Sequence, residues 1–352
     1  LILHRYIARE ILLSTLAVSS VLLLVIVGSR FARYLGRAAS GRLSLDSLGH
    51  LTLLYMPYAA QMIIPISFVL AIMLTFGRLY MQSEMAVMQS SGVSQRRLLK
   101  LVMVLAIAVA GITSLASLYV TPLTQQMSEV VIQEQQQRTG FEAITPGQFV
   151  ELGRQAVYSQ SISNDQETLQ QVFIAQHDGE VDQLAVAQRG FQQLAEDTQS
   201  RFLVLENGHR YELPGDDLAM TDLKFERYAL RIGVHTPPTI EEEVEMMFLP
   251  ALLTSEEVAA RVELQWRLGL PAMVLIMVLL AMPMTKVNPR QGRFMTILPV
   301  LFLQMVFLTS LMSLQGTINK GQFPLYPGLW SIHLVFLLLG LVLCWRRGVF
   351  VK

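Results

Sequence analysis

The sequence predicts an α-helical membrane protein that carries an inserted all-β domain. Three observations lead there. The chain of 352 residues is 52% hydrophobic and only 15% charged, too apolar for an ordinary soluble protein. Six stretches reach the ~20 mostly apolar residues that a membrane span needs. Between the first three and the last three lies a polar, strand-patterned block of about 140 residues.

The six candidate spans are residues 11–29, 51–76, 98–120, 266–284, 294–314 and 329–345. The first is too long for the apolar core of a cleavable signal. Arg30, Phe31 and Arg33 follow it, where small residues would mark a cleavage site. The expected division is therefore 1–122 for spans one to three, 123–263 for the inserted domain with its connectors, and 264–352 for spans four to six. One cysteine, Cys344, falls in the last apolar stretch. It allows no disulfide within the chain and reads as a small buried hydrophobe.

Charge follows the same division. Residues 123–263 hold 24 of the 27 acidic side chains and 9 of the 27 basic ones. The membrane part keeps 18 basic and 3 acidic residues, so opposite surpluses of fifteen charges hide behind a net charge of zero. An acidic insert argues against nucleic acid as a partner.

Basic residues flanking spans mark the cytoplasmic side. With six spans, one side collects Arg5 and Arg9, then Arg78, Arg96, Arg97 and Lys100, then Lys286, Arg290 and Arg293, and finally Arg346, Arg347 and Lys352. Both termini are expected there, with the inserted domain on the opposite, outer side, which in a cell with two membranes is the periplasm. Arg30, Arg33, Arg37 and Arg42 break the rule. The reverse topology would rescue these four and misplace the other twelve, so the four need a separate reason.

Within the insert, residues 155–162 alternate apolar and polar side chains, and 171–175 and 202–205 are short apolar runs. Residues 203–213 read as a hairpin, because Asn207-Gly208 supplies the positive φ of a tight turn. Asn164-Asp165, Asp178-Gly179 and Pro214-Gly215 punctuate the rest. Short strands at ~10-residue spacing imply an antiparallel sandwich or roll. Residues 128–138 read as a helical extension of span three, and 240–261 as an acidic connector returning to the membrane. His177 and His209 have no metal-ligating or catalytic pattern around them and read as surface histidines.

The membrane part carries no P-loop, so any nucleotide must be hydrolysed by a partner. His333 is expected to pack or hydrogen-bond within the last span. Between spans two and three, Met81, Met85 and Met88 fall at i, i+4 and i+7, one face of a helix, and Gly92 supplies a stop. Such a stripe suits either the groove of a soluble partner or the protein's own bundle. Glu84 offers a carboxylate to a basic partner. Arg30, Arg33 and Arg37 share a face if span one continues as helix. Arginine's planar fork grips phosphate, so a polyanionic head group competes here with simple snorkelling to anionic lipid. Lys320 lies in a short loop on the same side and extends the patch.

Three spans, a β-domain, three spans, the Ser-Glu-Met-Ala-Val-Met-Gln-Ser-Ser-Gly segment at 83–92 and the Asn288-Pro-Arg-Gln-Gly-Arg293 turn together resemble the lipopolysaccharide-export permease family LptF/LptG. The 288–293 turn is closer to the LptF branch. The resemblance covers essentially the whole chain. It implies six transmembrane helices (3+3), a periplasmic β-jellyroll, and residence in the inner membrane. It implies an LptG-like permease as heterodimer partner, an LptB-like ATPase dimer that binds the ATP, and an LptC-like jellyroll protein. It also implies no cofactor in this chain and lipopolysaccharide as the transported lipid. By the same resemblance, the helix at about 81–92, with Ser83, Glu84, Met85, Met88 and Gly92, is the coupling helix that docks on the ATPase. Arg30 and Arg33, with Arg37 and Lys320, take basic positions near the lipid A phosphates. The alternative is a non-transporting protein relaying an ATPase stroke to a periplasmic domain; it needs the coupling helix but not the arginines.

Overall fold

The computed structural model describes residues 2–39, 43–138, 146–152, 155–163, 168–177, 181–194, 201–214, 221–232, 240–286 and 294–349. The turns expected at 164–165, 178–179 and 215, the arginine at 42 and the 288–293 turn lie outside them. Ten α-helices and six strands follow in chain order among the described residues: α1 Ile2–Ala39, α2 Leu45–Met81, α3 Glu84–Ser90, α4 Gln95–Leu115, α5 Thr121–Arg138, β1 Phe149–Leu152, β2 Gln155–Ile162, β3 Thr168–His177, β4 Val181–Leu194, β5 Arg201–Pro214, β6 Thr221–Ile232, α6 Ile240–Met246, α7 Leu249–Thr254, α8 Val258–Met284, α9 Phe294–Asn319 and α10 Trp330–Arg346. A π-helical turn, Ala116–Val120, joins α4 to α5.

Among the described residues, five helices are long and apolar enough to cross a membrane: α1, α2, the continuous α4–α5 stretch, α8 and α9. The sixth expected span is α10, a shorter apolar helix of 17 residues. Span three continues into α5 as expected, and the acidic connector forms α6 and α7 before α8.

The chain divides into two compact units. The first comprises 1–29, 54–126 and 238–352, and contains two large apolar clusters besides a small one of Val244, Leu252 and Ala260. One gathers Ile7 and Ile11 of α1, Phe68, Ile72 and Phe76 of α2, Met85 and Met88 of α3, Val102 and Ala106 of α4, and Val274 and Val278 of α8. The other joins Met73 of α2, Leu270 and Met277 of α8, Phe307 and Leu311 of α9 and Phe336 of α10. Cys344 is buried, its thiol donating to the Leu279 carbonyl at 3.2 Å. His333 is also buried, with Nδ1 3.0 Å from the Leu329 carbonyl and Nε2 3.0 Å from that of Gly269. A Cβ at position 269 would lie 2.9 Å from the imidazole, so only glycine lets α8 and α10 meet there.

The second unit comprises 30–53 and 127–237. Its six strands form one antiparallel sheet in sequence order, β1 to β6. Val157, Leu169, Val172, Ile174, Ala185, Ala187, Leu203 and Leu205 form its buried face.

The expected hairpin at Asn207-Gly208 is absent. Both residues sit inside the unbroken 14-residue strand β5. Pairing passes from Glu206↔Arg227 to Gly208↔Phe225 and skips 207 and 226. The same skip recurs at 188 and 207, at 171 and 188, and at 160 and 171. Each strand from β2 to β6 thus skips one residue on one transverse line, Gln160, Gln171, Gln188, Asn207 and Glu226, all exposed, and the register is the same on either side of it. Alternation slips there. Burial runs Ala185, Ala187, then Gly190 in β4, and Leu203, Leu205, then Gly208 in β5. Gln171 (φ 48°) and Asn207 (φ 53°), in alternate strands, take the left-handed conformation on this line. The positive φ expected of Asn207 is therefore present, but it serves this line of skipped pairs rather than a chain reversal. A Cβ on Gly208 would fall 2.3 Å from the Val186 carbonyl, which explains the glycine.

Candidate functional site

Three groups of residues carry chemistry. The first is on α1. The helix runs unbroken to Ala39, so Arg30, Arg33 and Arg37 meet the condition for sharing a face. Arg30 is half-buried, and Arg33 and Arg37 are exposed. Arg30 Nε donates to the Tyr34 hydroxyl at 3.1 Å, and its guanidinium lies 5.0 Å from that ring's centroid. Tyr34 is itself buried with Leu43, Leu48 and Leu51. Tyr34 thus fixes one end of the arginine face against its own unit. Lys320 follows the last residue of α9 and is exposed; it belongs to the first unit, and the three arginines to the second.

The second group surrounds α3. Met81 closes α2, and the chain turns at Gln82 and Ser83 before α3 begins. Ser83 holds φ 60°, which breaks the helical register, so the expected stripe of Met81, Met85 and Met88 does not exist as one face. Met81 is exposed, whereas Met85 and Met88 are buried in the first unit's own cluster. Met85 and Met88 therefore seat α3 on its own bundle. Ala86, Val87, Gln89 and Ser90 remain exposed. Gly92 ends the segment at φ 86°, a conformation that glycine adopts without strain.

Glu84 opens α3 and accepts a hydrogen bond from the Tyr6 hydroxyl at 3.4 Å. Arg78 Nη2 donates to the same hydroxyl at 3.1 Å and pairs with Glu10 at 3.1 Å. One cation thus serves two carboxylates, one directly and one through a phenol. Nothing local in the sequence announces this, because Tyr6 and Glu84 are 78 positions apart.

The third group was not anticipated. Arg267 and Glu263 of α8 are both buried and pair at 2.7 Å. Arg267 also donates to the carbonyls of Met247 at 2.7 Å, Glu245 at 2.8 Å and Val244 at 3.1 Å. Gln126 of α5 donates to the neighbouring Met246 carbonyl at 2.8 Å. The α6–α7 junction is thus held from α8 and from α5. Ser117, in the π-helical turn, donates to the carbonyl of Arg267 itself at 3.3 Å. Beside this clamp lies a cavity of about 260 Å³, lined by Gln61, Thr121, Glu245, Trp266, Gln315 and Asn319 among others. The i,i+4 spacing of Glu263 and Arg267 was the available signal. It is hidden by a span that the hydropathy starts at residue 266.

No group of three or more His, Cys, Asp or Glu able to hold a metal occurs among the described residues. His209, in mid-strand rather than at a turn, pairs with Asp222 at 2.9 Å on the sheet surface.

Comparison with known proteins gives a consistent picture. The model of a family described as "Lipopolysaccharide export system permease LptF/LptG" matches residues 5–346. The chain is similar to the lipopolysaccharide export system permease protein LptF of Escherichia coli K12, with 31% identity over 350 residues, 97% of this chain and 94% of that one. The LptF protein of Shigella flexneri matches to the same extent. The LptG protein of Escherichia coli K12 is 27% identical over 167 residues, 47% of this chain and 46% of that one.

Proposed function

We infer the function from the family to which this chain belongs, the lipopolysaccharide export permeases LptF/LptG. The chain is a transmembrane permease subunit of an ABC-type exporter. It serves to extract lipopolysaccharide from the inner membrane and to pass it to periplasmic jellyroll proteins. It performs no chemistry on the lipid, and a partner ATPase hydrolyses the ATP. The observation that carries this reading is the single match over residues 5–346, which takes in both sets of apolar helices and the strand-rich block between them.

The finer reading has six spans, three on each side of the insert, with α10 as the sixth. Its 17 residues reach about 26 Å, at the short end of what spans a bilayer. Both termini are cytoplasmic and the β-domain is periplasmic, in keeping with the positive charge collected on one side. The domains run 1–122, 123–263 and 264–352. The inserted sheet acts as a jellyroll whose apolar face receives acyl chains, a role its Val, Leu and Ala lining suits. An LptG-like permease completes a heterodimer, an LptB-like ATPase dimer sits beneath it, and an LptC-like jellyroll protein receives the lipid.

Arg30, Arg33, Arg37 and Lys320 are the groups for the lipid A phosphates. An arginine face on the disfavoured side of the membrane is explained by a polyanion and not by topology. In the coupling segment, Met85 and Met88 seat α3 on the bundle, Ser83 and Gly92 turn the chain at its ends, and Glu84 offers a carboxylate to a basic residue of the ATPase.

The test replaces Arg30 and Arg33 with Glu in the assembled complex. ATPase co-purification is expected to persist, while photo-crosslinking to lipopolysaccharide and its ATP-driven release are lost. Unchanged crosslinking and release would remove the lipid-site assignment and favour a non-transporting relay.

A further inference from the structure

We propose that Tyr6 and Arg78 are positioning residues that lock the N-terminal end of α1 to α3, so that displacement of α3 is delivered to α1. The proposal rests on the reading of α3 as the segment that meets the ATPase.

The attachment has two layers. Ile7 and Ile11 of α1 lie in the same apolar cluster as Met85 and Met88 of α3. Apolar packing alone resists separation but leaves sliding cheap, because dispersion contacts carry little direction. The polar layer supplies direction. The Tyr6 hydroxyl accepts from Arg78 Nη2 at 3.1 Å and donates to Glu84 Oε2 at 3.4 Å. Arg78 in turn holds Glu10, one helical turn along α1 from Tyr6, at 3.1 Å. Residues from α1, the end of α2 and the start of α3 thus share one short chain of bonds.

The packing of α1 makes this joint consequential. The buried positions of its N-terminal half are Ile7, Ile11, Thr15 and Ser19, a stripe at four-residue spacing. From Ser20 to Ser29 no residue is buried. Within the first unit, α1 therefore buries side chains along its N-terminal half and only half-buries Leu22, Leu23 and Val27 beyond it. From Tyr6 to Ser29 the helix spans about 35 Å at 1.5 Å per residue. A rotation imposed at the joint is carried along an unbroken helix with few contacts to absorb it.

The test is Tyr6→Phe in the complete complex, with its ATPase and permease partners, in vesicles loaded with lipopolysaccharide. The ring and its packing are kept and the hydroxyl is removed. ATPase recovery and the rate of ATP hydrolysis are expected to stay at the parent level. Lipopolysaccharide released per ATP is expected to fall about five-fold, the scale of one lost hydrogen bond. Arg78→Glu, which keeps no donor for the Tyr6 hydroxyl, is expected to lower the same ratio. Parent release per ATP in Tyr6→Phe would overturn the proposal. So would loss of the ATPase from Tyr6→Phe, because Tyr6 would then be shaping the docking surface. Glu84→Arg separates this from the reading beneath it: unchanged ATPase recovery in that variant would count against α3 as the coupling segment, whatever Tyr6 does.

Discussion

The side chains of Glu263 and Arg267 in α8 are 10% and 3% exposed, whereas those of Glu10 and Arg78, which join α1 to α2, are 32% and 35% exposed. Both are carboxylate–guanidinium pairs, but their surroundings differ. Besides Glu263, Arg267 satisfies three backbone carbonyls of the α6–α7 junction. Burial makes each of these bonds expensive to leave unmade. Arg78 shares a single nitrogen between Glu10 and the Tyr6 hydroxyl, and water reaches both side chains. Such bonds are weak and readily remade. The first pair therefore suits a fixed joint where the chain returns from the inserted domain. The second suits a joint that must hold direction yet change partners.

The largest expected effect comes from breaking the fixed joint. Arg267→Met removes the cation, leaves Glu263 buried without a counter-charge and strips three carbonyls of a donor. The loss of stability is expected at about 3–5 kcal/mol, read from thermal unfolding in detergent, with sharply reduced recovery of folded protein. A loss under about 1 kcal/mol would mean that water or another donor takes over, and the contrast between the two pairs would fail.

Next in size is Glu263→Gln. The amide oxygen still accepts from Arg267, so the junction keeps its three carbonyl bonds and loses only the counter-charge. A loss of about 1–3 kcal/mol is expected by the same measurement. If Glu263→Gln proved as damaging as Arg267→Met, the counter-charge rather than the carbonyl bonds would be what holds the junction.

The sequence made the apolar helices, the acidic insert and the stop at Gly92 legible, because each depends on local composition or on a single residue's backbone preference. It misplaced what depends on neighbours. Asn207-Gly208 has hairpin chemistry, yet it lies where five strands, β2 to β6, each skip one residue on the same line, and pairing across the sheet outweighs the turn preference. Met81, Met85 and Met88 have helical spacing, but Ser83 at φ 60° separates the first from the others. Burial of Met85 and Met88 then decides which way α3 faces. The Tyr6–Glu84 contact is invisible to any local pattern. Glu263 and Arg267 had the right spacing, but they straddled the boundary at which hydropathy begins a span.

The smallest effect is expected at the exposed pair. Glu10→Gln, Arg78→Gln and the double variant form a cycle whose coupling energy is expected below about 1 kcal/mol, measured by thermal unfolding of the complete protein. Each single variant should fall within about 1 kcal/mol of the parent, because solvent replaces the lost partner. Added salt should shrink the coupling further, as it does for charges in contact with water, whereas the unfolding of Arg267→Met should be little changed by it. A salt-insensitive coupling of several kcal/mol at Glu10 and Arg78 would make this joint as fixed as the one in α8. The α1 end of the molecule would then be a rigid anchor, and α3 could change partners there only by breaking it.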